Sequence, residues 1–463
     1  MFVKLKAFAA SFWAAWKKMT WRDYLNMAID QWFLIFLGIA ILIAYLVPNL
    51  GRKGGWIAAQ YSVVYVCPAL IFFISGLTMN TKVFLKSAAL YRIHIVAQVM
   101  SYLFTSCLFF VFAYAALKAD DPHINLAVIG GFILLGCTPT TIGSNVVFTR
   151  NAHGNHAATL VEVTIANLLS PVLSPALISM YMTSDDKWGE LRPESGSGGY
   201  NSLYRSVFKQ LGLTVFVPLF VGQVIRFFFE KQVNWFALKF KINKFSSVFL
   251  ILIMWSTFSS CFHTGAFAES TPQTTALVLM QNMGLYWLFL FATLLVTRGS
   301  HKLRFKNKYL DACVGFFRFN KRDTIAICYV VPAKTPALGV PLINALYNSN
   351  ASISDQTKQM MQIPIILYQI EQLCFSSLSV SVFRRWVADE EEEVRLEAEE
   401  KQRQKELEEK ANELENGESS NAVSSDVTRS SGQEDDITAL VGSPSAADMK
   451  EGDLEKLNYR HVR

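Results

Sequence analysis

Charge is what this chain has least of. Asp, Glu, Lys and Arg make up 17% of its residues and apolar types 52%, where soluble globular proteins carry roughly 25% charge. The shortage in the body of the chain is sharper still, because much of the charge lies after Arg384. An ordinary soluble domain is thereby excluded. Cysteine pairs are missing too: the seven cysteines, at 67, 107, 137, 261, 313, 328 and 374, include no CxxC, and the seven histidines are dispersed. Scattered through apolar runs, the cysteines read as small buried hydrophobes, neither disulfides nor metal ligands. There is no phosphate-cradling glycine loop and no nucleophile triad, so neither an enzyme nor a cofactor nor a nucleic-acid partner is expected. The N-terminus lacks a compact apolar run with a small-residue cleavage site, which argues against a cleaved signal peptide.

What the chain has in quantity is long apolar sequence, with 35 phenylalanines. Stretches of about 20 apolar residues, each enough to cross a hydrocarbon core of about 30 Å, fall near 31–48, 57–77, 94–117, 126–149, 156–182, 207–228, 245–262, 276–297, 324–347 and 360–383. Lys and Arg concentrate in alternate connections. Lys17 and Arg22, Lys82 and Lys86, Lys231 to Lys244, Arg298 to Arg322, and Arg384 with Arg385 fall on one side; few fall on the other, such as Arg52, Lys53, Lys187 and Lys358. That alternation predicts ten spans in a lipid bilayer with both termini cytoplasmic. A re-entrant loop in place of one span is the alternative.

Five parts are expected. Residues 1–27 mix Lys4, Lys6, Lys17 and Lys18 with Phe8, Phe12, Trp13, Trp16 and Trp21, which suits a helix lying among cytoplasmic headgroups or an ordinary positive flank. A first five-helix repeat follows over 28–183, then an extracellular loop over 184–206 and a second repeat over 207–386. The tail, 387–463, opens with the acidic run Asp389–Glu393 and a mixed-charge stretch suited to a helix as far as about Leu414. Beyond Asn416 it is too rich in Ser, Gly, Asp and Asn to fold. It reads as a docking segment, phosphorylated at Ser419, Ser420, Ser424 or Ser431, or as a solvated tether. Asn350-Ala351-Ser352 is a glycosylation sequon on a short outer loop.

The fourth and ninth stretches are interrupted where a span should be seamless. One reads Gly136-Cys137-Thr138-Pro139-Thr140-Thr141-Ile142-Gly143-Ser144-Asn145 and the other Val331-Pro332-Ala333-Lys334-Thr335-Pro336-Ala337-Leu338-Gly339-Val340-Pro341. An unpaired amide or carbonyl in hydrocarbon costs several kcal/mol, so broken backbone survives only where it lines a cavity or a solute site. Breaks at matching places in two halves point to the binding site of a secondary transporter. The prolines remove helical amides, and Gly136, Gly143 and Gly339 permit turns and close approach. Thr140, Thr141, Ser144 and Asn145 then offer oxygens beside freed carbonyls, an inventory for a dehydrated alkali cation or a polar solute; satisfying the backbone at a kink is the plainer use.

Three ionisable residues fall inside the stretches: Glu162, Lys334 and Glu371. Each costs about 2.5–3.5 kcal/mol at the bilayer centre, so each needs a partner or a wet cavity. Lys334, with Thr335, sits in the break between Pro332 and Pro336. It reads as an ammonium that occupies or gates a cation site or changes protonation in a cycle, or else as a fixed ion pair with Glu162 or Glu371. Glu162 lies one turn beyond Thr159, and Glu371, between Gln369 and Gln372, reads as helix-packing glue.

A family resemblance rests on Cys137-x-Pro139-x4-Ser144-Asn145, Gly154-Asn155, Ser170-Pro171, Gly76-Leu77-Thr78 and Ala97-Gln98. Over residues 28–386 the chain resembles the bile acid:sodium symporter superfamily, through a fungal branch related to solute carrier family 10 member 7. The resemblance implies an all-α membrane protein with ten transmembrane helices in two inverted five-helix repeats, panel and core domains, and helices four and nine crossing at their breaks. It also implies one sodium site at Ser144, Asn145 and Thr159 and another at Gln98, sharing a carboxylate on helix nine. Here that position aligns with Cys328, and the next ligand-bearing position with Pro332. Without the carboxylate the sites are vestigial and sodium-coupled uptake is not expected; Lys334 stands in for a bound cation. The resemblance further implies a plasma-membrane carrier-fold protein that limits calcium influx, binding a small solute by alternating access. A non-transporting regulator of a calcium channel, acting through fold and tail, is the alternative.

Overall fold

The computed structural model describes residues 32–79, 87, 89–141, 143–193, 205, 207–299, 308–347, 353–388 and 402–404. The chain divides into two units, 1–392 and 393–463, and of the second only a helical turn at 402–404 is described. The expectations for segment 1–27, most of the loop 184–206, the sequon and nearly all of the tail lie outside the described residues.

All regular structure among the described residues is helical. In chain order the helices are α1 (Trp32–Leu46), α2 (Ala59–Thr78), α3 (Tyr91–Ala119), α4 (Leu126–Cys137), α5 (Gly143–Asn151), α6 (His156–Met182) and α7 (Val207–Phe228). They continue as α8 (Glu230–Phe240), α9 (Lys244–Thr264), α10 (Pro272–Gly299), α11 (Lys308–Phe316), α12 (Lys321–Val330), α13 (Pro336–Tyr347) and α14 (Asp355–Ala388). Seven of them, α2, α3, α6, α7, α9, α10 and α14, are long and apolar enough to cross a membrane. α1, α4 and α13 are shorter apolar helices. The interruptions read from the sequence fall between α4 and α5 and between α12 and α13.

Five of these helices start at side chains that satisfy amides the helix itself cannot. Asn125 caps α4, Asn155 caps α6, Thr271 caps α10, Asn320 caps α12 and Ser354 caps α14. Pro272 and Pro336 open α10 and α13, where a missing amide costs nothing. Widened turns occur at 62–66 in α2 and 212–216 in α7, just before Pro68 and Pro218, whose absent N–H groups break the regular ladder. A third, at 100–104 in α3, has no proline and contributes a carbonyl to the site described below.

α1, α2, α7 and α9 pack on one another. At the α2–α7 contact Gly76 and Gly222 face each other, and a methyl on either would collide with main chain of the opposite helix; small residues here let two backbones touch. The largest apolar core gathers buried residues of α3, α4, α6, α10, α12, α13 and α14, among them Phe109, Phe132, Phe289, Tyr329 and Tyr368, and continues into the first group through Leu37, Phe72, Leu211 and Met254. Both broken segments are buried at the edge of that core. Of the cysteines expected to be buried, Cys67, Cys137, Cys261 and Cys328 are, while Cys374 is half-buried and Cys107 is exposed, contrary to expectation.

Candidate functional site

Both breaks leave the helical path, and they touch. The Thr335 amide donates to the Pro139 carbonyl at 2.9 Å, so each break supplies a partner the other lacks. Around α4, the Ser174 hydroxyl of α6 donates to the Cys137 carbonyl at 2.6 Å, and Asn167 of α6 donates to the Thr140 carbonyl at 3.2 Å. Around α12, Tyr368 of α14 donates to the Pro332 carbonyl at 2.6 Å. Gln372 of α14 grips Lys334 from both ends of its peptide: the Lys334 amide donates to Oε1 at 2.8 Å, and Nε2 donates to the Lys334 carbonyl at 2.7 Å. Gly136 allows α4 to lie against α3, since a Cβ there would come within 2.6 Å of the Phe109 Cβ. Gly143 is different: no atom lies within 4 Å of the position its Cβ would take, so it serves no close approach, contrary to expectation.

The Lys334 side chain is 1% exposed and runs into the first break. Its Nζ donates to the carbonyls of Ser101 at 2.8 Å, Gly136 at 2.9 Å and Thr138 at 3.1 Å. Gly136 and Thr138 flank the end of α4, where helical bonding stops, and Ser101 lies in the widened turn of α3. Three carbonyl acceptors need three N–H donors, which an ammonium has and a neutral amine lacks. The arrangement resembles what a dehydrated cation requires, with the ion delivered on a tether. The expected alternative, an ion pair with Glu162 or Glu371, is not what the structure holds: among the described residues Lys334 forms no salt bridge. Glu371 sits apart beside Asn282.

Glu162 is fully buried on α6 and is already engaged. One carboxylate oxygen meets His94 Nδ1 of α3, and the other accepts from Gln98 Nε2 at 2.8 Å. The remaining residues singled out from the sequence form smaller local sets. Asn145 donates to Thr140 Oγ1 at 2.6 Å, Thr141 bonds Ser144, and Thr159 donates to Thr149 at 3.1 Å. Thr149 also donates to the Asn145 carbonyl at 2.8 Å and so bridges Asn145 and Thr159, while Ser144 bonds Thr141 and Gln98 belongs with Glu162. Thr335 Oγ1 accepts from the Ala337 amide at the start of α13. Gly339 lies against the Thr138 methyl, where a Cβ would come within 3.0 Å. Pro139, Pro332 and Pro336 occupy or border the two broken segments.

Sequence reasoning passed over His94, Ser101, Asn167, Ser174, Tyr368 and the gripping role of Gln372. Polar residues at helical spacing on α6 (Asn167, Ser170, Ser174) carried a usable signal; a main-chain acceptor such as Ser101 carried none. Cys328 is fully buried, and no group of three or more His, Cys, Asp or Glu residues able to hold a metal occurs among the described residues.

Comparison with known proteins agrees with a carrier. The SBF-like CPA transporter family matches residues 31–385. The chain is 38% identical over 379 residues to solute carrier RCH1 of Candida albicans, covering 79% of this chain and 91% of that protein. It is 37% identical over 396 residues to solute carrier RCH1 of Saccharomyces cerevisiae, covering 80% and 90%. More distantly, it is 24% identical over 373 residues to sodium/bile acid cotransporter 7 of Mus musculus, covering 80% and 98%.

Proposed function

Because this chain belongs to the SBF-like CPA transporter family, we propose that it is a multi-pass membrane carrier whose solute site is the meeting point of its two broken helices. In this reading Lys334 replaces a coupling cation. The observation that carries it is the ammonium held by the carbonyls of Ser101, Gly136 and Thr138. A mobile cation can enter, travel and leave; a tethered one cannot, so the site needs no sodium to be occupied. Cys328 supports the same point, being a thiol where the resemblance places a carboxylate.

The architecture follows from the same premise. Counting each broken pair as one span gives ten, in two inverted repeats of five, with both termini cytoplasmic. The grouping of α1, α2, α7 and α9 supports a panel domain, and in this reading the remaining helices form the core domain that moves against it in alternating access. The solute is small and polar, of a class that tolerates a fixed positive charge. By resemblance the protein acts in the plasma membrane of a fungus and limits calcium influx.

Two variants separate this reading from regulation of a calcium channel through the tail. In a host lacking its own relative, Lys334→Ala abolishes control of calcium uptake and removal of residues 388–463 leaves it largely intact. A folded Lys334→Ala protein with normal control would refute the carrier mechanism. In parallel, purified protein is screened for solutes that raise its unfolding temperature, as any ligand of the native state must.

A further inference from the structure

Away from the crossing, the corner formed by α7 and α8 carries a second built feature. α8 is short and two-faced. Val233 is buried, while Trp235, Phe236, Phe240, Lys231 and Lys239 are exposed. Between α8, the end of α7 and the last turns of α2 lies an apolar groove of about 780 Å³, lined by Phe73, Leu77, Ile225, Phe229 and Phe236 together with Lys231.

The groove is held open by buried polar ties. Arg226 of α7 donates to the Leu77 carbonyl at 2.6 Å and to Asn234 Oδ1 at 3.0 Å, joining α7 to α2 and α8. Gln223 donates to the Gly76 and Met79 carbonyls at 2.6 and 3.0 Å. These bonds occupy the terminal carbonyls of α2, leaving an apolar concavity that needs no rearrangement to be filled. Charge on α8 and the residues just after it is mainly of one sign: Lys231, Lys239, Lys241 and Lys244 stand against a single acid, Glu230. Lys239 Nζ lies 4.5 Å from the Trp235 ring centroid, which holds an ammonium level with an aromatic ring that itself lines the groove. Aromatic rings with lysines on a two-faced helix suit the boundary between headgroups and acyl chains. A cluster of lysines there selects negative headgroups.

We infer that the groove beneath α8 binds an anionic phospholipid. One acyl chain lies against Phe73, Leu77 and Phe229, and the headgroup phosphate lies at the rim beside Lys231, with Lys239 further along α8 adding to the same positive field. An apolar helix of another protein or of a second copy would fill the groove but would leave the lysine pair uncompensated, so charge complementarity selects the lipid.

Full-length protein purified in detergent is titrated with phosphatidylserine and with phosphatidylcholine, and bound lipid is counted by native mass spectrometry. Phosphatidylserine binds the more tightly. Lys231→Gln with Lys239→Gln weakens it about 25-fold, at about fivefold for each lysine, and leaves phosphatidylcholine unchanged. Both lysines are exposed, so the variant keeps the wild-type unfolding temperature. Bromination of the phosphatidylserine acyl chain quenches tryptophan fluorescence, and Trp235→Phe removes that quenching. Equal binding of the two lipids, or an unchanged preference in the double variant, would overturn the inference. So would displacement by free phosphoserine at lipid-like concentration, which would mean that the groove takes no chain, or a stable dimer that buries this face. None of these outcomes bears on the helix crossing, so the lipid site and the carrier reading fail separately.

Discussion

Replacing Lys334 with alanine tests whether the ammonium is a built-in cation. The substitution removes three charge-assisted hydrogen bonds, at 2.8, 2.9 and 3.1 Å, each worth about 1.5–3 kcal/mol. It also relieves the cost of burying an ammonium, about 2.5–3.5 kcal/mol at mid-membrane depth. The first effect outweighs the second, so the variant is destabilised by roughly 1–6 kcal/mol. It is left with three inward-facing carbonyls and a space beside them. A free alkali cation then has a site in the variant that the wild type already fills. At ten times its dissociation constant such an ion returns about 1.4 kcal/mol. The assay is thermal unfolding of both proteins in detergent, in choline chloride and in sodium or potassium chloride at equal ionic strength. The variant unfolds at lower temperature in choline and recovers part of the loss in sodium or potassium, while the wild type is indifferent. A variant as stable as the wild type in choline, or an equal response of both proteins to the alkali salt, would refute the reasoning.

Other substitutions bear on the surrounding frame. Gln372→Leu strips the amide and the carbonyl of Lys334 of their partners and lowers stability by about 2–6 kcal/mol, counted as two buried polar groups; Gln372→Glu, which keeps the acceptor, loses about half as much by thermal unfolding. Gly136→Ala drives a methyl to 2.6 Å from the Phe109 Cβ and costs about 1–3 kcal/mol. Gly143→Ala meets nothing within 4 Å and raises stability by up to about 1 kcal/mol through helix propensity, so the two changes move the unfolding temperature in opposite directions. Lys53, in the connection between α1 and α2, bonds Asn344, and burial pulls its ammonium down to about 8, against the opposing pull of Asp355. Since the folded state then binds that proton less tightly than the unfolded chain, stability rises as pH climbs from about 8 towards the ordinary lysine value, about 10.4. Lys53→Met removes this rise from the unfolding temperature measured across that window, and an identical pH profile in both proteins would contradict it.

The two breaks were legible because proline and clustered hydroxyls cannot be accommodated silently in hydrocarbon. Lys334 was legible because an ammonium between two prolines has no bland place in a span. Its partners were not. Carbonyl oxygens belong to every residue, and nothing in the letters around Ser101 says that α3 widens there and turns one towards a lysine more than two hundred positions away. The same limit explains Gln372: its neighbour Glu371 drew notice by its charge, yet the uncharged amide, offering a donor and an acceptor together, is what can grip a peptide at both ends. Helix order was readable from apolar runs; the capping residues Asn125, Asn155, Asn320 and Ser354, which each mark a start, were a signal passed over. Gly143 misled because glycine near a break has two uses, and the sequence does not distinguish relief of crowding from a simple helix start.

Why Lys334 seeks carbonyls when a buried carboxylate exists follows from the state of Glu162. His94 Nε2 donates to the Ser87 carbonyl at 3.1 Å; a carbonyl only accepts, so that nitrogen carries a hydrogen and Nδ1 is the one that meets Glu162. Whether the shared proton rests on Nδ1 or on the carboxylate, the pair is neutral overall, and Gln98 satisfies the second oxygen. The Glu162–His94 pair therefore has no net charge to offer Lys334. This neutrality is testable by Glu162→Gln, whose amide nitrogen can donate to Nδ1 while its oxygen accepts from Gln98, preserving each contact. Stability then stays within about 1 kcal/mol of wild type, whereas Glu162→Leu deprives His94 and one hydrogen of Gln98 of an acceptor and costs about 2–5 kcal/mol. If the amide proved as damaging as the leucine, the Glu162–His94 pair would have to hold net charge in the folded protein. The separation of a neutral carboxylate–imidazole pair from an unpaired ammonium would then be lost, and with it the reason for the crossing to be positive.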